Sequence, residues 1–131
     1  MPTRLIRQGI LDSDRVNRLS IEAELFYRRL LSVVDDYGRF DARPTMLRVN
    51  CFPLRIDQMD NNQLVDWLIE CVRQGLIRLY AQNGKPQTEA VNVAELWETI
   101  ADSSKRPYLE VQDFRQNPRA KSSKFPDPPA R

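Results

Sequence analysis

Histidine is absent from the 131 residues, and there are only two cysteines. Without an imidazole the chain can form no His-containing zinc site, no Ser-His-Asp triad and no zinc-deaminase centre, and two thiols cannot build a four-thiolate site. No apolar run approaches the roughly 18 residues of a membrane-spanning helix, and Met1 to Gln8 lack the apolar centre of a signal peptide. Glycine is scarce, at four residues, and no Gly-rich phosphate loop is present. The expectation is a cytoplasmic protein with no metal, no cofactor and no membrane partner. Cys51 and Cys71 fall on apolar helix faces, where a free thiol packs as a small hydrophobe. Asp35-Asp36, with Asp41 nearby, is the one carboxylate cluster resembling a metal site. Neighbouring positions on a helix diverge, and no general base or nucleophile motif accompanies these aspartates, so they read as a solvated helix end. A non-enzymatic binding protein is expected.

The apolar fraction of 41% is enough for one domain with a core. Ser20 suits a helix N-cap, and Ala23, Phe26, Tyr27, Leu30, Val33 and Val34 form a broad apolar face after it, with Glu24 and Arg28 at i,i+4 spacing outside. A Tyr37-Gly38 turn leads into a short strand at Arg39-Phe40. Pro44 fits the first turn of a second, short helix that turns Met46, Leu47 and Cys51 inward and stops before Pro53. Asp60 to Gln63 has capping-box spacing, and Leu64, Val65, Trp67, Leu68, Cys71 and Val72 make the stripe of a third helix ending at Gly75. Leu76 to Tyr80 is strand-like, and Asn83-Gly84 is a hairpin signal. The return strand is expected at Tyr108 to Val111, about twenty residues on, so the hairpin carries an insertion. Asn92 to Glu95 repeats the capping spacing, and Val93, Leu96, Trp97, Ile100 and Ala101 mark one face of a short helix inside it.

This order predicts an α+β fold, a winged helix-turn-helix with three core helices and a β-hairpin wing. Residues 1–19 are expected as an extended N-terminal arm, 20–114 as the winged-helix domain with a wing insertion at 86–105, and 115–131 as a basic, proline-rich, flexible tail. The net charge of +2 is unevenly spread, at +1 over residues 1–60, −3 over 61–104 and +4 over 105–131. Sixteen of the twenty cations are arginine, whose planar fork suits phosphate.

Leu19-Ser-Ile-Glu-Ala-Glu-Leu-Phe-Tyr-Arg-Arg-Leu-Leu31, Asp35-Asp-Tyr-Gly-Arg-Phe40, Arg43-Pro44 leading to Cys51-Phe-Pro-Leu54, Gly75-Leu-Ile-Arg-Leu-Tyr80, Arg106 to Gln116 and Ser123-Lys-Phe-Pro126 occur in an order that resembles the winged-helix domain at the N-termini of phage and prophage replication proteins of the replisome-organiser type. The resemblance implies DNA binding at an origin or replication fork in the bacterial host cytoplasm. Two departures are the segment between Lys85 and Lys105 and an expected absence of a second domain after the tail.

In helix-turn-helix proteins the second helix of the motif enters the major groove. Steps of 100° place Asn62, Asp66, Ile69, Glu70 and Arg73 opposite the apolar stripe of the third helix, with Gln63 at its flank. Asn62 and Gln63 suit adenine edges, whereas Asp66 and Glu70 would face a polyanion. Phosphate contacts are therefore expected from Arg43 and Arg48 on the second helix, from Lys85, Lys105 and Arg106 at the wing base, and from Arg115, Arg119, Lys121 and Lys124 on the tail. The competing expectation is a protein-interaction module, either a replisome accessory or a self-associating scaffold, with Trp97, Leu96 and Ile100 as its docking surface. A transcription regulator would need a dimer, and no heptad or long dimerisation helix is visible.

Overall fold

The computed structural model describes residues 14–114 and 123–129. Among them are five α-helices and one four-stranded antiparallel sheet, an α+β arrangement. The chain enters with a single helical turn, α1 (Asp14–Asn17), which buries Val16 and delivers a nearly buried Leu19 to the core. This part of the expected N-terminal arm is thus helical rather than extended, because two apolar residues three apart have a core to reach; residues 1–13 lie outside the described residues.

Helix α2 (Ile21–Val33) starts at Ser20, whose hydroxyl accepts from the Ala23 N–H at 3.2 Å, and buries Ala23, Phe26, Tyr27 and Leu30. After the turn at Gly38, β1 (Arg39–Asp41) forms, and α3 (Pro44–Cys51) follows with its proline in the first turn. Helix α4 (Asn61–Arg73) has the full reciprocal cap. The Asp60 carboxylate accepts from Gln63 N at 2.8 Å, while Gln63 Oε1 accepts from Asp60 N at 3.0 Å. Its other end closes by a Schellman motif, in which Gly75 at φ +73° lets its own N–H reach Val72 O and the Leu76 N–H reach Cys71 O.

Strand β2 (Ile77–Gln82) then pairs on both sides. It meets β3 (Thr88–Val91) through the Asn83-Gly84 turn, and β4 (Arg106–Val111) along its other edge, giving the order β1-β4-β2-β3. The return strand is where the sequence places it, but the Asn83-Gly84 turn serves a different strand. Thr88-Glu-Ala-Val is short and half polar, which suits an edge strand exposed on both sides and hides it from pattern reading. After a short 3₁₀ turn at Val93–Glu95, α5 (Leu96–Ala101) leads back to β4.

The sheet has two different faces. Ile77 opposite Val111 and Leu79 opposite Leu109 point into the core with Phe26, Leu30, Leu47, Leu64 and Leu68 from the three main helices. Trp67 closes the helical side, with its ring 6.4 Å from Phe26 and 5.8 Å from Phe52. The register puts Arg39, Arg78, Tyr80, Thr88, Arg106, Tyr108 and Glu110 on the opposite face. The segment Ser123–Pro129 lies across that face, which corrects the expectation of a wholly flexible tail. Among the described residues no helix is long and apolar enough to cross a membrane, and no three His, Cys, Asp or Glu side chains gather as a metal site.

Candidate nucleic-acid interface

A chain of contacts defines one end of the molecule. At the start of α4, Asn61 Nδ2 approaches Thr45 Oγ1 of α3 at 3.5 Å. Two residues before Thr45, Arg43 caps α3, and its neighbour Ala42 donates a backbone hydrogen bond to Pro107 O in β4. Arg106 then stands opposite Gln82, the last residue of β2, and the turn that follows carries Lys85. Asn62, Gln63, Arg43, Lys105, Arg106 and Lys85 are therefore brought to the same end, although they come from four different parts of the chain. Lys85 and Arg106 are exposed, and Lys105 is half-buried.

The cations of α3 differ from expectation. Arg43 makes a forked pair with Asp41, with contacts of 2.6 and 2.9 Å to Oδ2, and these hydrogen bonds raise its pKa. Its charge is thus matched locally. Arg48 is half-buried, with a buried Nε, and its Nη1 donates to Met59 O at 3.3 Å, tying α3 to the loop before α4. It is a half-buried brace, held to the loop before α4 by that bond, and is less free to meet phosphate than an exposed cation. Gln63 spends its side-chain oxygen on the α4 cap, leaving exposed Asn62 as the freer base-reading candidate.

Glu70 also sits elsewhere than a helical wheel suggests. Its carboxylate accepts from Ser20 N at 2.9 Å and from Ser20 Oγ at 2.8 Å, so it closes the start of α2 and lies against the positive end of that helix. Asp66 alone of the two acids remains fully exposed. At the opposite end of the sheet, Asp35 accepts from Tyr37 N and Arg39 N at 2.9 Å and bonds Ser123 Oγ. Of the aspartate cluster, Asp35 is a turn staple and Asp41 is the partner of Arg43. Lys124 follows Ser123 and so stands apart from Arg106; Arg115, Arg119 and Lys121 lie outside the described residues.

The expected docking trio is split. Leu96 is fully buried and part of the core, Ile100 is half-buried, and Trp97 is 44% exposed. An α-helix of six residues cannot hold consecutive positions on one side, so Leu96 anchors it and Trp97 faces outward.

Sequence reasoning missed the outer sheet face. Tyr80 and Tyr108 stack with ring centroids 5.6 Å apart, and Phe125 lies 5.9 Å from both Tyr108 and Phe40. Arg39 is 9% exposed and bridges Glu110 at 3.2 Å and Asp127 at 2.8 Å. Burial works against its charge, but these two hydrogen bonds outweigh it and raise its pKa. The available signal was the alternation of Arg78 with Tyr80 and of Arg106 with Tyr108, which puts arginine and tyrosine on one side of two strands. Comparison with family models, with curated proteins and with solved structures returned no match, so the functional reading rests on the residues themselves.

Proposed function

We propose that the chain is a winged-helix DNA-binding protein of the kind that serves phage or prophage replication, and that it grips duplex DNA with the end of the molecule carrying Asn62, Lys85, Lys105 and Arg106. The observation that carries this reading is the contact chain from the α4 N-terminus through Thr45 and Pro107 to the hairpin turn. The order α2, β1, α3, α4, β2, β3, α5 and β4, with β4 between β1 and β2, is compatible with a winged helix whose wing carries β3 and α5 as an insertion. In that arrangement α4 is the recognition helix, and Asn62 near its start reaches a base edge while the cations of the turn and of β4 hold phosphates. The engagement of Glu70 with Ser20 supports the reading by occupying one of the two acids that would oppose a polyanion.

Fluorescence anisotropy with labelled duplex and single-stranded DNA at low salt tests the proposal. Duplex binding weakened by Lys105→Ala and Arg106→Ala is the expected result, and no binding to either DNA would sink it. The exposure of Trp97 favours a second reading, a protein-interaction module in which α5 docks a replisome subunit or another copy. Self-association seen by light scattering and lost in Trp97→Ala would favour that alternative.

A further inference from the structure

The segment Ser123–Pro129 is held on the sheet in an unusual way. Among the described residues, no backbone-to-backbone hydrogen bond joins it to the domain; each strap carbonyl that is bound is bound by a side chain. Tyr80 Oη donates to Pro126 O at 2.8 Å, Thr88 Oγ1 to Asp127 O at 2.8 Å and Arg78 Nη2 to Pro129 O at 2.9 Å. Pro126, Pro128 and Pro129 have no N–H to donate, so a proline-rich peptide offers almost only acceptors. The sheet face meets these carbonyls with donors, a hydroxyl, a phenol and a guanidinium, while Asp35 takes the Ser123 hydroxyl at the segment's start. Phe125 enters beside Tyr108 and Phe40, and Arg39 takes the Asp127 carboxylate. Aromatic walls, spaced donors to carbonyls and one charge partner are the means by which extended proline-rich peptides are recognised, since such peptides lose little freedom on binding.

We propose that this face is a peptide-binding groove for an aromatic-anchored, proline-rich segment of a partner protein that carries one carboxylate for Arg39, and that the chain's own Ser123–Pro129 occupies it as a removable intramolecular latch. The latch is local. Phe114 packs beside Gly38, Gly38 N–H donates to Asp35 O, and Ser123 bonds the Asp35 side chain, so Phe114 and Ser123, eight residues of sequence between them, meet the same turn. A short tether gives an effective concentration of about a millimolar, which shields the groove from weak ligands and yields to strong ones. Strand β3 has a role here, because its Thr88 extends the groove beyond the two central strands. The phenol of Tyr80, pushed above its ordinary pKa by burial, stays a donor throughout the physiological range.

The test uses the full-length chain and a fluorescent peptide of sequence Ser-Lys-Phe-Pro-Asp-Pro-Pro-Ala-Arg. Phe125→Ala and Asp127→Arg each release the latch; the second changes a side chain that is itself 89% exposed, and Arg39 keeps its pair with Glu110. Both variants should bind the peptide at least about tenfold more tightly than the wild type, on the millimolar effective concentration of the tether, and a peptide with Phe replaced by Ala should not bind. Equal binding to all three proteins, or none to either variant, overturns the proposal. So does a released variant that gains affinity for oligo(dT) instead of peptide, which would make the face a stacking platform for single strands. A wild-type mass of two chains that falls to one in Asp127→Arg would show the occupant to be another copy's segment and would also overturn it.

Discussion

Replacing Glu70 by alanine should destabilise the fold and leave the proposed DNA contacts unchanged. The carboxylate takes two hydrogen bonds from Ser20, at 2.9 and 2.8 Å, and Ser20 itself caps α2 through Ala23 N. Hydrogen bonds to a charged group contribute about 1.5–3 kcal/mol each when buried. Glu70 is only half-buried, so solvent screening reduces the pair to about 2 kcal/mol in total. Ser20→Ala keeps the backbone N–H bond to Glu70 but removes the hydroxyl bond, about 1 kcal/mol of that total, and the cap, a further 1 kcal/mol or so, giving about 2 kcal/mol. Because the two side chains share only the Ser20 Oγ bond, the double variant should fall short of the sum by about 1 kcal/mol. Urea unfolding measures all three; with a slope of about 1–3 kcal/mol per molar, Glu70→Ala should lower the midpoint by about 1 M. Asp66→Asn should change stability by less than about 0.5 kcal/mol, as an exposed site does. If Glu70→Ala costs as little as Asp66→Asn, and the cycle is additive, the carboxylate is solvated and both acids belong to the outer face of α4.

Further outcomes follow from the core and the turns. Leu68→Ala, at a fully buried position, should cost about 2–5 kcal/mol in urea unfolding. Gly38→Ala and Gly84→Ala both force a side chain into the left-handed region, at φ +79° and +85°, for about 1–2 kcal/mol. Only at Gly38 would the new Cβ meet Phe114 at 3.0 Å, so thermal melting should rank Gly38→Ala clearly below Gly84→Ala. Burial pushes the Cys51 thiol up from an ordinary value of 9.0 to about 12, partly offset by Arg29, and pushes Cys71 up as well. The native thiols therefore keep protons that the unfolded chain sheds, and each thiol's contribution, complete below pH 9, is lost as pH rises from 9 through the folded pKa. That loss amounts to about 1.4 kcal/mol per unit for each thiol. Urea unfolding between pH 7 and 10 should show this fall, smaller in Cys51→Ala, and Ellman's reagent at pH 8 should react only as fast as the protein opens.

The helices were legible because their signals are local. Ser20, Pro44, the Asp60 and Gln63 box and Gly75 each act within four residues, and each marks a helix boundary in the structure. Strand partners were less so. Nothing near Asn83-Gly84 says whether the turn serves Thr88 to Val91 or Tyr108 to Val111, since that choice is made by which edge of β2 remains free. Side-chain destinations were the hardest. Glu70 and Ser20 are fifty residues apart, Arg39 and Asp127 eighty-eight, and only the packed chain brings them within 3 Å. The proline-rich composition of the tail argues for disorder when it is weighed alone. It reads differently once a face with donors for its carbonyls is present to receive it.

The central claim, that the end formed by the α4 N-terminus, the hairpin turn and the start of β4 holds DNA phosphates, is tested most directly by the salt dependence of duplex binding in the wild type and in Lys85→Ala/Lys105→Ala/Arg106→Ala. Each phosphate contact contributes about 0.9 to the slope of log K against log salt. Loss of three should make the triple variant shallower by about 2.7, with its urea midpoint unchanged. A variant that binds with the wild-type slope would contradict the claim.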